Sequence, residues 1–316
     1  MTKPFIVISD GFNEILFNQL KDHPELNIHP KPKLTQEELK VLLPEINGLV
    51  IRSATTVDDQ LLEQSPNLKY VIRAGEGTDN INKKLCQQRD IKVSNTPGAN
   101  SNSAAEHAVA LMMTVLRKTA WAHSSMNSGN WEKSKFIGNE LTNKTVGFVG
   151  FGRIGQIVAK RISGFDPKIV FYDPFIQEEK IGECEKVNNL EDIFKQSDII
   201  TVHTPLLPET KNIINISLLQ LMKPSAILIN AARGGIVNEE DLHTILSNKN
   251  IRGAGLDVFS TEPLEKDSPL RSLDNVVLTP HLGASTEEAQ IRVGQMVINQ
   301  LEELFLKNNL LNEVRI

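Results

Sequence analysis

Three side chains of complementary chemistry each stand just past a short apolar run. Arg233 lies in "AILINAARGGIVNEEDL", Glu262 ends "AGLDVFSTE" and His281 ends "VVLTPH". An arginine presents a planar fork that can hold a carboxylate through two bonds and polarise an adjacent carbonyl. A histidine titrates near neutrality and can give or take a hydroxyl proton. A carboxylate within hydrogen-bond reach of that histidine favours the imidazolium. Each residue alone has a plainer reading: a solvated loop arginine, a turn glutamate before Pro263, a packing histidine. As a set they are the groups needed to handle a 2-oxo or 2-hydroxy acid beside a nicotinamide.

A second constellation points to that nicotinamide. The apolar run Val146–Val149 leads into Gly150-Phe-Gly152-Arg153-Ile154-Gly155 and then a helical pattern from Gln156 to Ile162. In this context Gly150 allows a tight turn, Gly152 lets backbone approach a pyrophosphate, and Gly155 lets helix pack on strand. The helix N-terminus adds N–H groups and partial positive charge. Asp173 closes the next apolar run, 18 residues after Gly155. A carboxylate there accepts hydrogen bonds from ribose hydroxyls and repels a 2′-phosphate, which favours NAD over NADP.

These residues share a cleft only if the elements before them are parallel strands of one sheet, whose carboxyl ends line the binding crevice. The sequence supplies the alternation this requires. In the first hundred residues, strands are expected at Phe5–Ile8, Gly48–Ile51, Tyr70–Ile72 and Ile91–Val93. Helical segments such as Thr35–Leu43, Asp58–Glu63 and Asn80–Arg89 separate them. A long Ala-, Leu- and Met-rich helix follows from Ser101 to Lys118, with Ser101 or Ser103 as N-cap and Glu106 three residues beyond Ser103. Trp121 to Asn143 reads as a connector. Strands are then expected at Val146–Val149, Ile169–Tyr172, Ile199–Val202, Ala226–Ile229, Ala254–Val258 and Val276–Leu278, and a final helix from Thr286 to Lys307. Strict alternation implies right-handed crossovers and parallel sheets. Gly234 and Gly235 allow the tight path that turns Arg233 into the cleft. Asn238 caps the next helix, and Glu239, Glu240 and Asp241 fill its acidic first turn.

With 316 residues, 40% of them hydrophobic and 23% charged, the chain has the composition of an ordinary globular protein long enough for two domains. A net charge of −5 argues against a broad basic surface for nucleic acid or anionic membrane, so an anionic ligand must meet local cations. Arg52 and Arg73, each at the end of an expected strand, are such cations. Phe5–Ile8 is too short an apolar run for a secretory signal, and Ala108–Leu116 falls well below the roughly 20 residues of a membrane span. The reading is a cytoplasmic protein. Cys86 and Cys184 lack partners at ligand spacing, so neither a disulfide framework nor a metal site is expected.

These segments, in order, resemble the D-isomer-specific 2-hydroxyacid dehydrogenases, and within them the phosphoglycerate dehydrogenase branch. The matching text runs through "IRSAT", "VIRAGEGTDNIN", "NTPGANSNSAAEHAVALMM", "WEKSKFIGNELTNKTVGFVGFGRIG", "VHTPLLPETKNII", "LINAARGGIVNEEDL", "GLDVFSTEPL" and "LTPHLGAS". The resemblance implies two doubly wound parallel-sheet domains. A flavodoxin-like substrate domain is made from residues 1–98 and 284–316, and an inserted Rossmann NAD-binding domain spans residues 99–283 and carries the segment that forms a homodimer. It implies NAD as cofactor and a small anionic substrate. Arg233, Glu262 and His281 match the catalytic arginine, acid and histidine. Arg153 and Ile154 match positions lining the cofactor phosphates, Asp173 the ribose acid, and Asp257 the acid near the nicotinamide amide. Thr204, Ala231, Gly283 and Ala284 sit in loops resembling cofactor-contacting ones. Arg52 with Ser53, Arg73 and Lys133 match positions that meet substrate.

Three features depart from that pattern. Glu76 stands where a small or hydroxyl residue is common beside the cofactor. Lys133 stands where a relative carries Arg and offers a point charge instead of a fork. The chain is expected to lack the C-terminal effector-binding domain of longer relatives, and hence feedback by serine. His203 is expected beside the cofactor in a structural role. His23, His29, His107, His123 and His243 are read as packing or surface residues without partners. Alongside oxidation of a phosphorylated hydroxy acid stand a glyoxylate, hydroxypyruvate or other 2-oxo acid reductase, an NAD-sensing binding protein akin to corepressors of this fold, and a structural dimer without turnover.

Overall fold

Burial on both faces sets the composition of the central strands. In β3 (Gly48–Ile51, GLVI), β10 (Ile199–Val202, IITV) and β11 (Ile227–Asn230, ILIN) every residue is buried, as in parallel sheets covered by helices on both sides. A computed structural model describes residues 3–314. The described chain divides into two compact units, one built from the chain up to Asn100 and from Ala284 on, the other from Ser101 to Gly283.

The first unit holds β1 (Phe5–Ile8), β2 (Asn27–Ile28), β3, β4 (Tyr70–Arg73) and β5 (Lys92–Asn95) in the order β2-β1-β3-β4-β5, all parallel. This is the flavodoxin-like order. The last helix, Glu287–Lys307, starts at Thr286, whose hydroxyl accepts the Ala289 N–H. Its Val293, Val297 and Leu301 pack with Ile6, Ile8 and Tyr70 in one core, each contributing about 1.5–3 kcal/mol by burial.

The second unit adds β6 (Thr145–Val149), β7 (Lys168–Tyr172), β8 (Lys180–Ile181), β9 (Cys184–Lys186), β12 (Gly253–Leu256) and β13 (Val276–Leu278). The sheet order is β13-β12-β11-β10-β6-β7-β9-β8, parallel except for the β8–β9 pair. The chain reverses direction across the sheet between β6 and β10, the switch point at which such sheets open a ligand crevice. The helix Ser101–Arg117 covers one face, burying Ala105, Ala108, Leu111, Met112 and Val115 with Ile227 and Ile229. Cys86 and Cys184 are free and buried; burial pushes the Cys86 thiol up to about 11.

The structure corrects several expectations. Strands β2, β8 and β9 carry two or three residues each, too short for an alternating pattern. The segment Trp121–Asn143 is not a plain connector. It lies partly in a helix, Thr119–Asn127, and contains a 3-10 turn, Lys133–Phe136, none of whose residues is buried; without an apolar stripe neither leaves a periodic signal. The long helix begins at Ser101, so Ser101 is its first residue and Ser103 lies inside its first turn; neither is the N-cap that precedes it. The expected Ile91–Val93 and Ala254–Val258 strands shift to Lys92–Asn95 and Gly253–Leu256.

Candidate active site

Arg233, Glu262 and His281 emerge from the carboxyl ends of β11, β12 and β13, three consecutive strands of the second unit. The Asn230 side chain, at the end of β11, fixes the first turn from both sides. Its amide donates to the Arg233 carbonyl at 3.0 Å, and its oxygen accepts the Ala232 N–H at 3.1 Å. Gly234 then passes so close to the next loop that a Cβ there would lie 1.8 Å from the Phe259 carbonyl oxygen, while Gly235 takes φ +76. Only glycine satisfies both demands. The Phe259 N–H in turn donates to Glu262 Oε1 at 3.0 Å, and Glu262 Oε2 accepts from His281 Nδ1 at 2.6 Å. A continuous series of contacts thus joins the three loops. Asn238 caps the following helix by accepting the Asp241 N–H, and Glu239 accepts the Ser260 N–H at 2.5 Å, which ties that helix to the Glu262 loop.

Burial works against ionisation of Glu262, but the hydrogen bonds from His281 and the Phe259 N–H outweigh it and hold the carboxyl below its ordinary value. With Nδ1–H on a carboxylate, Nε2 is the ring nitrogen left to exchange a proton. Both side chains are half-exposed, at 34% for Glu262 and 40% for His281, so a ligand can reach them. Arg233 is half-buried, with Nη1 on the Ala232 carbonyl at 2.7 Å.

Asp257, just past β12, is fully buried. Its carboxylate accepts from Thr279 Oγ1 at 2.5 Å, from the Leu282 N–H at 2.8 Å and from the Gly283 N–H at 2.9 Å. His107 Nε2 lies 3.1 Å from Asp257 Oδ1 and 3.1 Å from Thr279 Oγ1. Burial raises the Asp257 pKa, yet these donors more than offset it and keep the group ionised. Its oxygens are engaged in holding the turn after β13. The expectation that His107 has no partner is therefore corrected, and a pairing across 150 positions leaves no local signal. The other outlying histidines also have local partners: His23 and His29 bond backbone groups of Glu25 and Lys31, His123 the Asn127 side chain, and His243 Ser247. His203 is drawn down to about 3 by burial and is neutral, with Nε2 on Thr201 Oγ1 at 2.9 Å and its ring against Phe148.

The glycine loop suits a dinucleotide phosphate. Gly150 has φ +85, and a Cβ there would stand 2.8 Å from the His203 carbonyl oxygen and 3.0 Å from the Thr204 nitrogen, so this turn lies against the loop after β10. A Cβ at Gly155 would lie 3.0 Å from the Gly150 carbonyl oxygen, so helix and turn pack closely there too. At Gly152 a Cβ would meet nothing within 4 Å. It is the N-cap residue of the ten-residue helix Arg153–Ile162, so open space lies directly before a helix N-terminus. Arg153 is exposed and Ile154 half-buried in that first turn. Asp173 follows β7, and its two oxygens accept the Phe151 N–H at 2.9 Å and the Phe175 N–H at 3.0 Å. The Asp173 carboxylate is thereby tied to the glycine loop. Ala231 lies half-buried between Asn230 and Arg233; Gly283 and Ala284 continue the turn held by Asp257. The residues present therefore fit NAD.

In the first unit, Arg52 is half-buried. Burial lowers its pKa and the charge of Asp10 opposes that shift. Asp10, which sequence reasoning passed over although it ends "VISD", accepts the N–H groups of Arg52 and Thr55 at 2.7 and 2.9 Å. It fixes the loop that carries Ser53, which is exposed. Arg73 is half-buried with Nη1 3.2 Å from the Ala74 carbonyl. Glu76 is half-buried, and its carbonyl accepts from the Asn95 amide. Lys133, in the second unit, is exposed at the start of its 3-10 turn.

The family model of the D-isomer specific 2-hydroxyacid dehydrogenase NAD-binding domain matches residues 109–283. A hydroxypyruvate reductase of Thermotoga maritima is 42% identical over 307 residues, covering 96% of this chain and 98% of that protein. A D-3-phosphoglycerate dehydrogenase of Synechocystis is 41% identical over 303 residues, 95% of this chain and 54% of that protein. The chain thus spans about half the length of the phosphoglycerate dehydrogenases it matches. Among solved structures, an NAD-dependent formate dehydrogenase from Staphylococcus aureus in complex with NAD has a TM-score of 0.86 at 29% identity, covering 100% of this chain and 99% of that one.

Proposed function

The chain belongs to the D-isomer specific 2-hydroxyacid dehydrogenases, and on that premise we propose that it oxidises D-3-phosphoglycerate to 3-phosphohydroxypyruvate with NAD, reversibly. The observation that carries this reading is the 2.6 Å Glu262–His281 pair on loops contiguous with that of Arg233. Bound NAD supplies a hydride acceptor, held by the glycine loop and Asp173. The Arg233 fork receives the substrate carboxylate and sets the C2 hydroxyl for reaction. His281 Nε2 takes the hydroxyl proton as the C2 hydrogen leaves with its electron pair. The Glu262 carboxylate stabilises the imidazolium so formed. In reduction the same imidazolium returns the proton to the carbonyl oxygen.

Preference for a phosphorylated acid draws support from Arg52, Arg73 and Lys133, cations beyond the one carboxylate clamp the chemistry needs, and from the names of the relatives that are 40–42% identical. Hydroxypyruvate reduction is the second reading, favoured by the Thermotoga maritima relative, which matches over 98% of its own length. The proposal includes a homodimer in the cytoplasm, formed around the long helix and the segment after it, where Met126, Trp131 and Ile137 are exposed. NADH oxidation rates with 3-phosphohydroxypyruvate, hydroxypyruvate, glyoxylate and pyruvate at equal concentrations test the substrate. A preference for the phosphorylated acid that Arg52→Ala abolishes supports the first reading; equal or better use of hydroxypyruvate moves the function to the second.

A further inference from the structure

We propose that His107 is a positioning residue for the reaction. By donating its Nε2 hydrogen to Asp257 and Thr279, it holds the turn that carries His281 in its working conformation. The inference rests on the reading of His281 as the proton-transfer group.

The turn needs such a support. His281 has φ +55, a left-handed conformation that a non-glycine residue keeps only where its surroundings over-determine it. Its own N–H points back to the Asp257 and Thr279 carbonyls at 2.9 and 3.1 Å. The next two N–H groups, of Leu282 and Gly283, go to the Asp257 carboxylate. The conformation of the turn is therefore set by where that carboxylate points. Asp257 is fully buried, and a buried charge stays in place only while it is paired and hydrogen-bonded. Three of its four side-chain donors, Thr279 Oγ1, Leu282 N and Gly283 N, belong to the turn itself and move with it. The fourth, His107, comes from the 17-residue helix Ser101–Arg117, which is packed against β11 and β12. His107 thus references the turn to a rigid element. Because an ionised carboxylate can only accept, the hydrogen of His107 sits on Nε2.

Two variants separate this role from simple packing. Glutamine places an amide nitrogen near the position of Nε2 and keeps the donor; leucine keeps bulk and removes it. Hydrogen exchange at the Leu282 and Gly283 amides, measured in the cofactor-free protein, reads the turn directly. Steady-state kcat, with KM for NADH and for the preferred 2-oxo acid, reads the chemistry. His107→Leu is expected to speed exchange at both amides about tenfold or more while exchange in β11 stays unchanged, and to lower kcat by about 10- to 100-fold, the cost of displacing a reacting group by about 1 Å. KM for NADH should stay within about threefold. His107→Gln should match the wild type in exchange and stay within about threefold in kcat. Wild-type exchange in the leucine variant overturns the proposal, as does faster exchange with unchanged kcat, or a glutamine variant that fails as badly as the leucine one. If the wild-type protein turns over no 2-oxo acid, it is the functional reading that fails, and the exchange data still decide whether His107 holds the turn.

Discussion

Replacing Gly234 with alanine should disable the site by driving its loops apart. The added Cβ would lie 1.8 Å from the Phe259 carbonyl oxygen, 2.0 Å from its carbon and 2.7 Å from the Ser260 nitrogen. These are backbone atoms, so no rotamer change relieves the overlap, and reaching ordinary contact near 3.4 Å requires a separation of about 1.6 Å. Overpacking of this kind costs about 3 kcal/mol, the upper end of the usual range. In a unit of this size each kcal/mol lowers Tm by about 2–4 °C, which gives a fall of about 6–12 °C. The catalytic loss follows from the same shift. Arg233 precedes Gly234, while Phe259 holds Glu262 and through it His281; if Arg233 is the carboxylate clamp and Glu262–His281 the proton-transfer pair as proposed, moving one from the other by more than 1 Å should lower kcat/KM about 100-fold. Thermal unfolding and steady-state kinetics, run beside Gly235→Ala, provide the check. At Gly235 space is available and only the left-handed φ resists, so the cost there is about 1–2 kcal/mol. A Gly234→Ala protein with wild-type Tm and kcat/KM would refute the argument that close approach of these two loops builds the site.

Gly152→Ala is expected to lower Tm by only about 2–4 °C, the loss of a favoured N-cap residue, because its Cβ enters open space at φ −71, yet to weaken NADH binding at least tenfold. Equal affinity by titration calorimetry removes the phosphate from that space. Asp173→Asn should weaken NAD and relax discrimination against NADP; if the ratio of the two kcat/KM values does not move, the ribose assignment is wrong. Asp198 gives a pH test remote from the site. Burial opposes its ionisation, but the Thr145 N–H and Lys223, each at 2.9 Å, outweigh it and hold the carboxyl below the ordinary aspartate range. A depressed carboxylate contributes stability above its unfolded pKa and loses it as pH falls through the folded value. The Tm deficit of Asp198→Asn should therefore be full near pH 7 and shrink only once the pH falls below the ordinary aspartate value of about 3.9; a deficit independent of pH counts against the bond.

The strands that carry the site were legible because burial on both faces leaves unbroken apolar runs: "ILIN" and "IITV" read as strands without their neighbours. The helix after Arg233 was equally open to reading, since Asn238 and three acidic residues mark its start. Chemistry that depends on local order, such as the glycine loop followed by Asp173, could be found for the same reason. What sequence could not supply was tertiary pairing. His107 and Asp257 are far apart in the chain and meet only because a helix covers the sheet face beside β12, and Asp10 closes on the Arg52 loop from the strand next to it. No residue of the helix Thr119–Asn127 is fully buried, and Trp121 alone of its large apolar side chains packs against the core of the unit, so it has no apolar stripe to betray it.

The most direct test of the central claim is the turnover of His281→Ala beside its affinity for NADH. General acid–base catalysis by a positioned histidine contributes about 10²–10⁴-fold, so kcat for the preferred 2-oxo acid should fall by at least about 100-fold while the NADH dissociation constant stays within about threefold of wild type. A variant that keeps more than a tenth of wild-type turnover would contradict the assignment of the Glu262–His281 pair as the proton-transfer machinery.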